Sequence, residues 1–113
     1  MKPEILKKET LIKAAENSVG GNTWRSLMVR MPETGEVKDI LEDGEYSCAF
    51  FVTTLLYMTD MIDKPRATVA STRKAFEESD DWEEVSENEV QQGDVIFWKK
   101  IIYPDGGEHA HVG

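Results

Sequence analysis

The sequence predicts an α+β domain with its helices placed ahead of its strands. Three observations carry this expectation. Apolar residues recur at helical spacing in three segments before residue 80. The run Asp94-Val95-Ile96-Phe97-Trp98 is rich in β-branched and aromatic residues, and a Pro104-Asp105-Gly106-Gly107 turn signal separates it from a second strand signal at His109 to Val112. The length of 113 residues, 40% hydrophobic and 31% charged, suits one modest core and not two. A single domain spanning 1–113 is therefore expected, with a helical or irregular part over 1–42 and a core part over 43–113.

Taken in order, Leu6, Ile12, Ala15 and Val19, with Leu11 and Ala14 beside them, form a helical stripe from about Pro3 to Ser18. Gly20-Gly21-Asn22 ends it. Trp24 to Met31 reads as a short strand or an irregular packing segment, and Pro32 to Glu36 as a turn. Val37, Ile40 and Leu41 lead into a second turn at Asp43-Gly44. The clearest segment follows. Cys48, Phe51, Val52, Leu55, Leu56 and Thr59 fall at i, i+3, i+4, i+7, i+8 and i+11, and Phe50, Tyr57 and Met61 make a second apolar row. A helix so apolar around its circumference should be central. Ser47 is its expected N-cap, and Pro65 marks the exit. An amphipathic helix is expected from about Thr68 to Glu78, a short strand over Trp82 to Val85, a turn over Asn88 to Gly93, and then the two strands already named.

Charge and composition exclude several classes of function. The net charge of −9 argues against a nucleic-acid surface, which needs clustered Lys and Arg. The acids concentrate in Glu77 to Glu89, which holds eight and no base and reads as a solvated connection. No apolar run approaches the roughly 20 residues of a membrane span, and the charged N-terminus Met1 to Glu9 has no secretory apolar region. One cysteine permits no intrachain disulfide, which suits a reducing compartment or a reactive free thiol. A cytoplasmic setting is the default expectation, with export by another route or in a phage lysis system as the alternative.

That cysteine is the candidate with the most chemistry. A thiol is a poor nucleophile at neutral pH until its thiolate is stabilised, and helix N-terminal N–H groups and a neighbouring imidazolium both do this. Cys48 opens the central helix, and His111, 63 positions later, sits on the last strand signal. A lone cysteine on an apolar stripe also fits a small core residue. His109 and His111 at strand spacing point to one face, which is equally a metal-ligand spacing, so a small metal-binding domain built on them is an alternative.

Three elements then occur in one order: Ser47-Cys48-Ala49-Phe50-Phe51-Val52 opening a helix, Gly93-Asp94-Val95-Ile96-Phe97-Trp98 about 45 residues on, and His111-Val112-Gly113 last. In this the sequence resembles the NlpC-type papain-like cysteine peptidases and, more loosely, the CHAP amidases, over about residues 43–113. The resemblance implies a papain-like fold in which the cysteine helix packs on a C-terminal antiparallel sheet. It implies a thiol hydrolase cleaving an amide bond, with peptidoglycan stem peptides as the leading substrate, Cys48 as nucleophile and His111 as base. No cofactor or metal is implied. Tyr46, Ser47, Asn22, Trp24 and His109 are candidates to line the site or complete an oxyanion hole. Two departures stand out. Ala49-Phe50 replaces the family's Ser-Gly, where Phe50 would narrow the groove or fill core. The family's third polar residue lies on a strand after His-apolar-Gly, so further strands beyond Gly113 are expected. A binding module that keeps the fold without turnover is the alternative this raises.

Overall fold

The computed structural model describes residues 2–21, 24–42, 44, 46–102 and 106–113. Its elements run α1 (Lys7–Asn17), β1 (Met28–Arg30), β2 (Val37–Asp39), α2 (Cys48–Met58), α3 (Val69–Glu78), a 3-10 turn (Glu87–Glu89), β3 (Phe97–Ile102) and β4 (Glu108–Val112). The class is α+β, with three α-helices and two separate two-stranded antiparallel sheets, β1-β2 and β3-β4, among the described residues. Among the described residues no helix is long and apolar enough to cross a membrane.

α2 occupies the middle, with α1, α3 and β4 packed around it. Its Ala49, Val52, Leu55 and Leu56 are buried together with Leu11 of α1 and Val112 of β4. Each fully buried aliphatic side chain of this kind contributes about 1.5–3 kcal/mol relative to exposure. Of the rows read from the sequence, Val52, Leu55 and Leu56 are buried; Ala49 and Thr53, which neither row included, are buried with them, and Tyr57 of the second row is exposed. Leu11 also ties the first part of the chain to the same core as residues 49–112.

α1 is shorter than the stripe suggested. Leu6 holds the N-cap position in extended geometry with no side-chain cap, and residues 2–6 precede the helix in non-helical form. Val19, counted in the stripe, lies beyond the helix end and is 85% exposed. The Val19 amide donates to the Glu16 carbonyl, and Gly20 follows with a positive φ of 78°, so the chain leaves the helix before Val19 can reach the core.

Between α1 and α2 the chain forms a hairpin, where the sequence suggested only a short strand or irregular segment and a lead into the next turn. Met28, Val29 and Arg30 pair with Asp39, Lys38 and Val37. The expected Pro32–Glu36 turn closes it, with the Gly35 amide on the Met31 carbonyl and Gly35 at a φ of 74°. Asp39 fixes the hairpin's end, since its carboxylate accepts from the Leu27 and Leu41 amides at 3.0 and 2.9 Å. Leu41 is thereby held almost fully buried.

The link from α2 to α3 is anchored by a buried hydroxyl. Thr53 has no exposed surface, and its Oγ1 accepts from the Arg66 amide at 2.8 Å. The hydroxyl proton lies within reach of the Ala49 carbonyl at 2.7 Å and the Arg66 carbonyl at 3.0 Å. Arg66 in turn donates to Asp63 and to the Lys64 carbonyl, and that hydrogen bond holds the Asp63 carboxyl below its ordinary range. α3 starts as its sequence predicts, with the Thr68 hydroxyl capping the Ser71 amide.

No strand forms over Trp82 to Val85, contrary to the sequence expectation. Trp82 is anchored as a single side chain instead. Its ring stacks on Phe76 at 4.4 Å and its Nε1 donates to the Met61 carbonyl at 2.9 Å. The acids around it keep the backbone in water, where no second strand competes for it. The C-terminal strands form one hairpin and not a larger sheet among the described residues. Its pairing starts at Ile96, whose amide and carbonyl both bond Gly113. Residues 94 and 95 of the expected strand lie outside it because Gly93, at a φ of 97°, turns the chain against α1. A Cβ at that glycine would stand 3.2 Å from Lys8 Cε.

Replacing Thr53 with Val keeps the shape but strands the Arg66 amide and carbonyl in the interior. We expect Thr53→Val to lower unfolding stability by about 1–3 kcal/mol, read as a shift in urea midpoint with an unchanged slope.

Candidate active site

Cys48 is the first residue of α2 and is half-buried against the core. Ser47 does occupy the N-cap position, yet its side chain does not cap the helix. Its hydroxyl turns back and donates to the Gly44 carbonyl at 2.9 Å. Gly44 makes this possible with a φ of 94°, lying under the stem of Arg25. Ser47 therefore shapes the approach turn, and its carbonyl begins the helix by accepting from the Phe51 amide at 2.8 Å.

β4 presents its two histidines on one face. Phe97 pairs with Val112 and Trp98 with His111, and cross-strand partners share a face. Val112 is buried in the core, so His111 and Trp98 lie on the opposite face of the hairpin. Between Trp98 and Ile101 the register shifts, so that Ile101 pairs with His109. Residues 98 and 101 would alternate to opposite faces in a regular strand. The bulge places both opposite histidines instead.

His111 sits against the Trp98 indole with ring centroids 5.1 Å apart and planes tilted by 39°. Its Nδ1 is buried. Burial pushes the imidazole pKa below its ordinary value of 6.5, because the low-dielectric surroundings disfavour the cation. At neutral pH the ring is held in the neutral form, which can accept a proton.

The structure brings some candidates together and separates others. Tyr46 lies edge-on to His109 at 5.8 Å, so the turn entering α2 reaches the histidine face of β4. Two residues later the chain turns inward at Cys48, onto the core that includes Val112. Cys48 and His111 thus stand on two elements that pack against each other, linked by the Tyr46–His109 contact. Trp24 points elsewhere. It meets Phe51 at 5.6 Å and Phe50 at 6.4 Å, both edge-on, and so packs as part of the core flank. Phe50 is engaged in that contact as well. Asn22 lies outside the described residues, as does Asp105. Among the described residues no three of His, Cys, Asp and Glu are grouped to hold a metal ion.

Sequence reasoning read Trp98 as part of a strand and missed its tilted ring contact with His111. The register that creates the pair depends on the hairpin, and hydropathy does not reveal it. A groove of about 810 Å³ was also unforeseen. It lies beyond the C-terminal end of α2, between Met61, Trp82 and Glu78, and the Lys7–Asp60 and Arg66–Asp63 ion pairs lie along it. The 11 residues of α2 set it about 15 Å from Cys48, too far to share one reacting centre.

The described residues define an α+β domain with a thiol at the start of its central helix and a neutral imidazole on the neighbouring hairpin. No family model, curated protein or solved structure matches the chain.

The lowered His111 pKa has a consequence for stability. Below about pH 6.5 the unfolded chain takes up a proton that the folded state resists, so stability falls with pH through the window between 6.5 and the folded value. Above that window the group contributes no pH dependence. We expect His111→Gln to flatten this part of the profile, seen in urea unfolding at several pH values between about 7.5 and 5.

Proposed function

We propose that this chain is a thiol hydrolase of the papain-like, NlpC-type class, cleaving an amide bond through a Cys48 acyl-enzyme with His111 as the base. The observation that carries this reading is the pairing of elements: a cysteine at the first position of a buried helix, and a histidine kept neutral by burial on the hairpin packed against that helix. The order of the Cys48, Gly93-Asp94 and His111 motifs supports the same class.

In this mechanism the neutral His111 ring accepts the Sγ proton as the thiolate attacks the substrate carbonyl carbon. The tetrahedral oxyanion rests against the Cys48 amide at the positive end of α2, with the Tyr46 hydroxyl as a second donor from the same turn. Collapse breaks the C–N bond, and the imidazolium gives its proton to the departing amine. Water then donates a proton to His111 and attacks the thioester, releasing the carboxylic acid and restoring the thiol. His109 lines the site through its contact with Tyr46. The substrate class we assign is a short peptide of the peptidoglycan-stem type, on the strength of the motif resemblance.

A panel of soluble muropeptides and dipeptide amides tests this. Turnover is expected, with Cys48→Ala abolishing it and His111→Ala reducing it by about 100-fold or more. In parallel, iodoacetamide alkylation of Cys48 at neutral pH should slow by about tenfold in His111→Ala. Turnover that survives Cys48→Ala, or alkylation indifferent to His111, would overturn the mechanism.

A further inference from the structure

We infer that Trp98 is the positioning residue for His111, its indole limiting the rotamers open to the imidazole; this rests on the thiol-hydrolase reading above, in which that ring must meet the Cys48 thiol. An imidazole on an exposed strand has two free torsions, and a base that must meet a thiol cannot use most of the orientations they allow. The contacts around His111 remove that freedom from one side. Trp98 is its cross-strand partner, with centroids 5.1 Å apart. The tilt of 39° lays the indole obliquely along the ring, so the imidazole cannot swing toward β3 without meeting it.

Gly113 completes the clamp. A Cβ added there would stand 3.3 Å from Trp98 Cζ3, 3.6 Å from its Cη2 and 3.7 Å from His111 Nε2. The far edge of the indole, the backbone at Gly113 and the Nε2 edge of the imidazole therefore meet at one point. Nε2 is on that side while Nδ1 is buried, so the ring has a defined sense. The two hydrogen bonds between Ile96 and Gly113, at 2.6 and 3.0 Å, hold the strands in register directly beside the pair. Trp98 itself is 41% exposed, more than a side chain recruited for the core would be. Its opposite-face neighbour Phe97 is the one that packs inward, edge-on to Phe76 at 5.6 Å. The sequence thus places two adjacent aromatics on opposite faces of β3. Phe97 serves the core, and Trp98 serves the histidine.

A double-mutant cycle on Cys48 alkylation, with iodoacetamide as the probe, tests this in the full chain. Trp98→Ala is expected to slow alkylation about tenfold, and Trp98→Phe, which keeps an aromatic face, to restore most of the rate. In the His111→Ala background, Trp98→Ala should change the rate by less than about twofold, because its effect passes through His111. The imidazole proton resonances of His111 should also move in Trp98→Ala as the indole ring current is lost, while those of His109 stay. Equal slowing by Trp98→Ala with and without His111, or no slowing at all, would overturn the positioning role. Should Trp98→Ala unfold, Trp98→Leu keeps cross-strand bulk without the indole and carries the same cycle. Failure of the hydrolase reading looks different: His111→Ala then leaves alkylation unchanged in the parent, whatever Trp98 does to the resonances.

Discussion

An 11-residue helix dominated by apolar side chains must be covered, and α1, α3 and β4 pack around α2, leaving Tyr57 and Met58 at its C-terminal end exposed. That enclosure organises the rest. α1 is amphipathic enough to cover one side with Leu11, and the β3-β4 hairpin covers another with Val112. α3 closes a third through Val69 and Phe76, and Phe76 carries Trp82 with it. Cys48 and His111 come onto adjoining elements because burying α2 demands that packing, so the candidate chemistry follows from the core.

Burying α2 also encloses polar atoms, which fare differently: the Thr54 hydroxyl is buried without a hydrogen-bond partner among the described residues, whereas that of Thr53 is fully paired. Thr53 illustrates how a hydroxyl can be tolerated at zero exposure: it replaces water for the Arg66 backbone. The interaction spans only 13 residues of sequence, and it folds the α2–α3 connection back along the helix. Thr72 repeats the device within α3, its hydroxyl donating to the Thr68 carbonyl at 2.8 Å. Both threonines fall on apolar stripes where the pattern alone would have favoured an aliphatic residue.

What could be read from the sequence was whatever local chemistry determines. α2 starts at Cys48 and α3 follows Thr68, because apolar spacing and a capping hydroxyl act over a single turn. The β1-β2 hairpin was only half legible, since strands of three residues carry too little alternation to register. Trp82 misled because a large aromatic with a Val three residues on resembles a strand, whereas its ring had a stacking partner 6 residues earlier. For the candidate site, the identities of Cys48 and His111 were legible and their surroundings were not. The Ser47 hydroxyl chose the Gly44 carbonyl over the helix, and the Trp98–His111 contact required a bulge that no spacing rule encodes.

Leu11 and Val112 cover α2 from opposite ends of the sequence. During synthesis α2 therefore emerges with one neighbour already made and another still 50 residues away. A ribosome adding about 5–20 residues per second leaves that apolar flank uncovered for several seconds. Over that interval the helix is a sticky nascent segment, and α1, already made, is its first native shield. The order of the elements thus makes α1 the part of the native cover that α2 can meet before the hairpin is made.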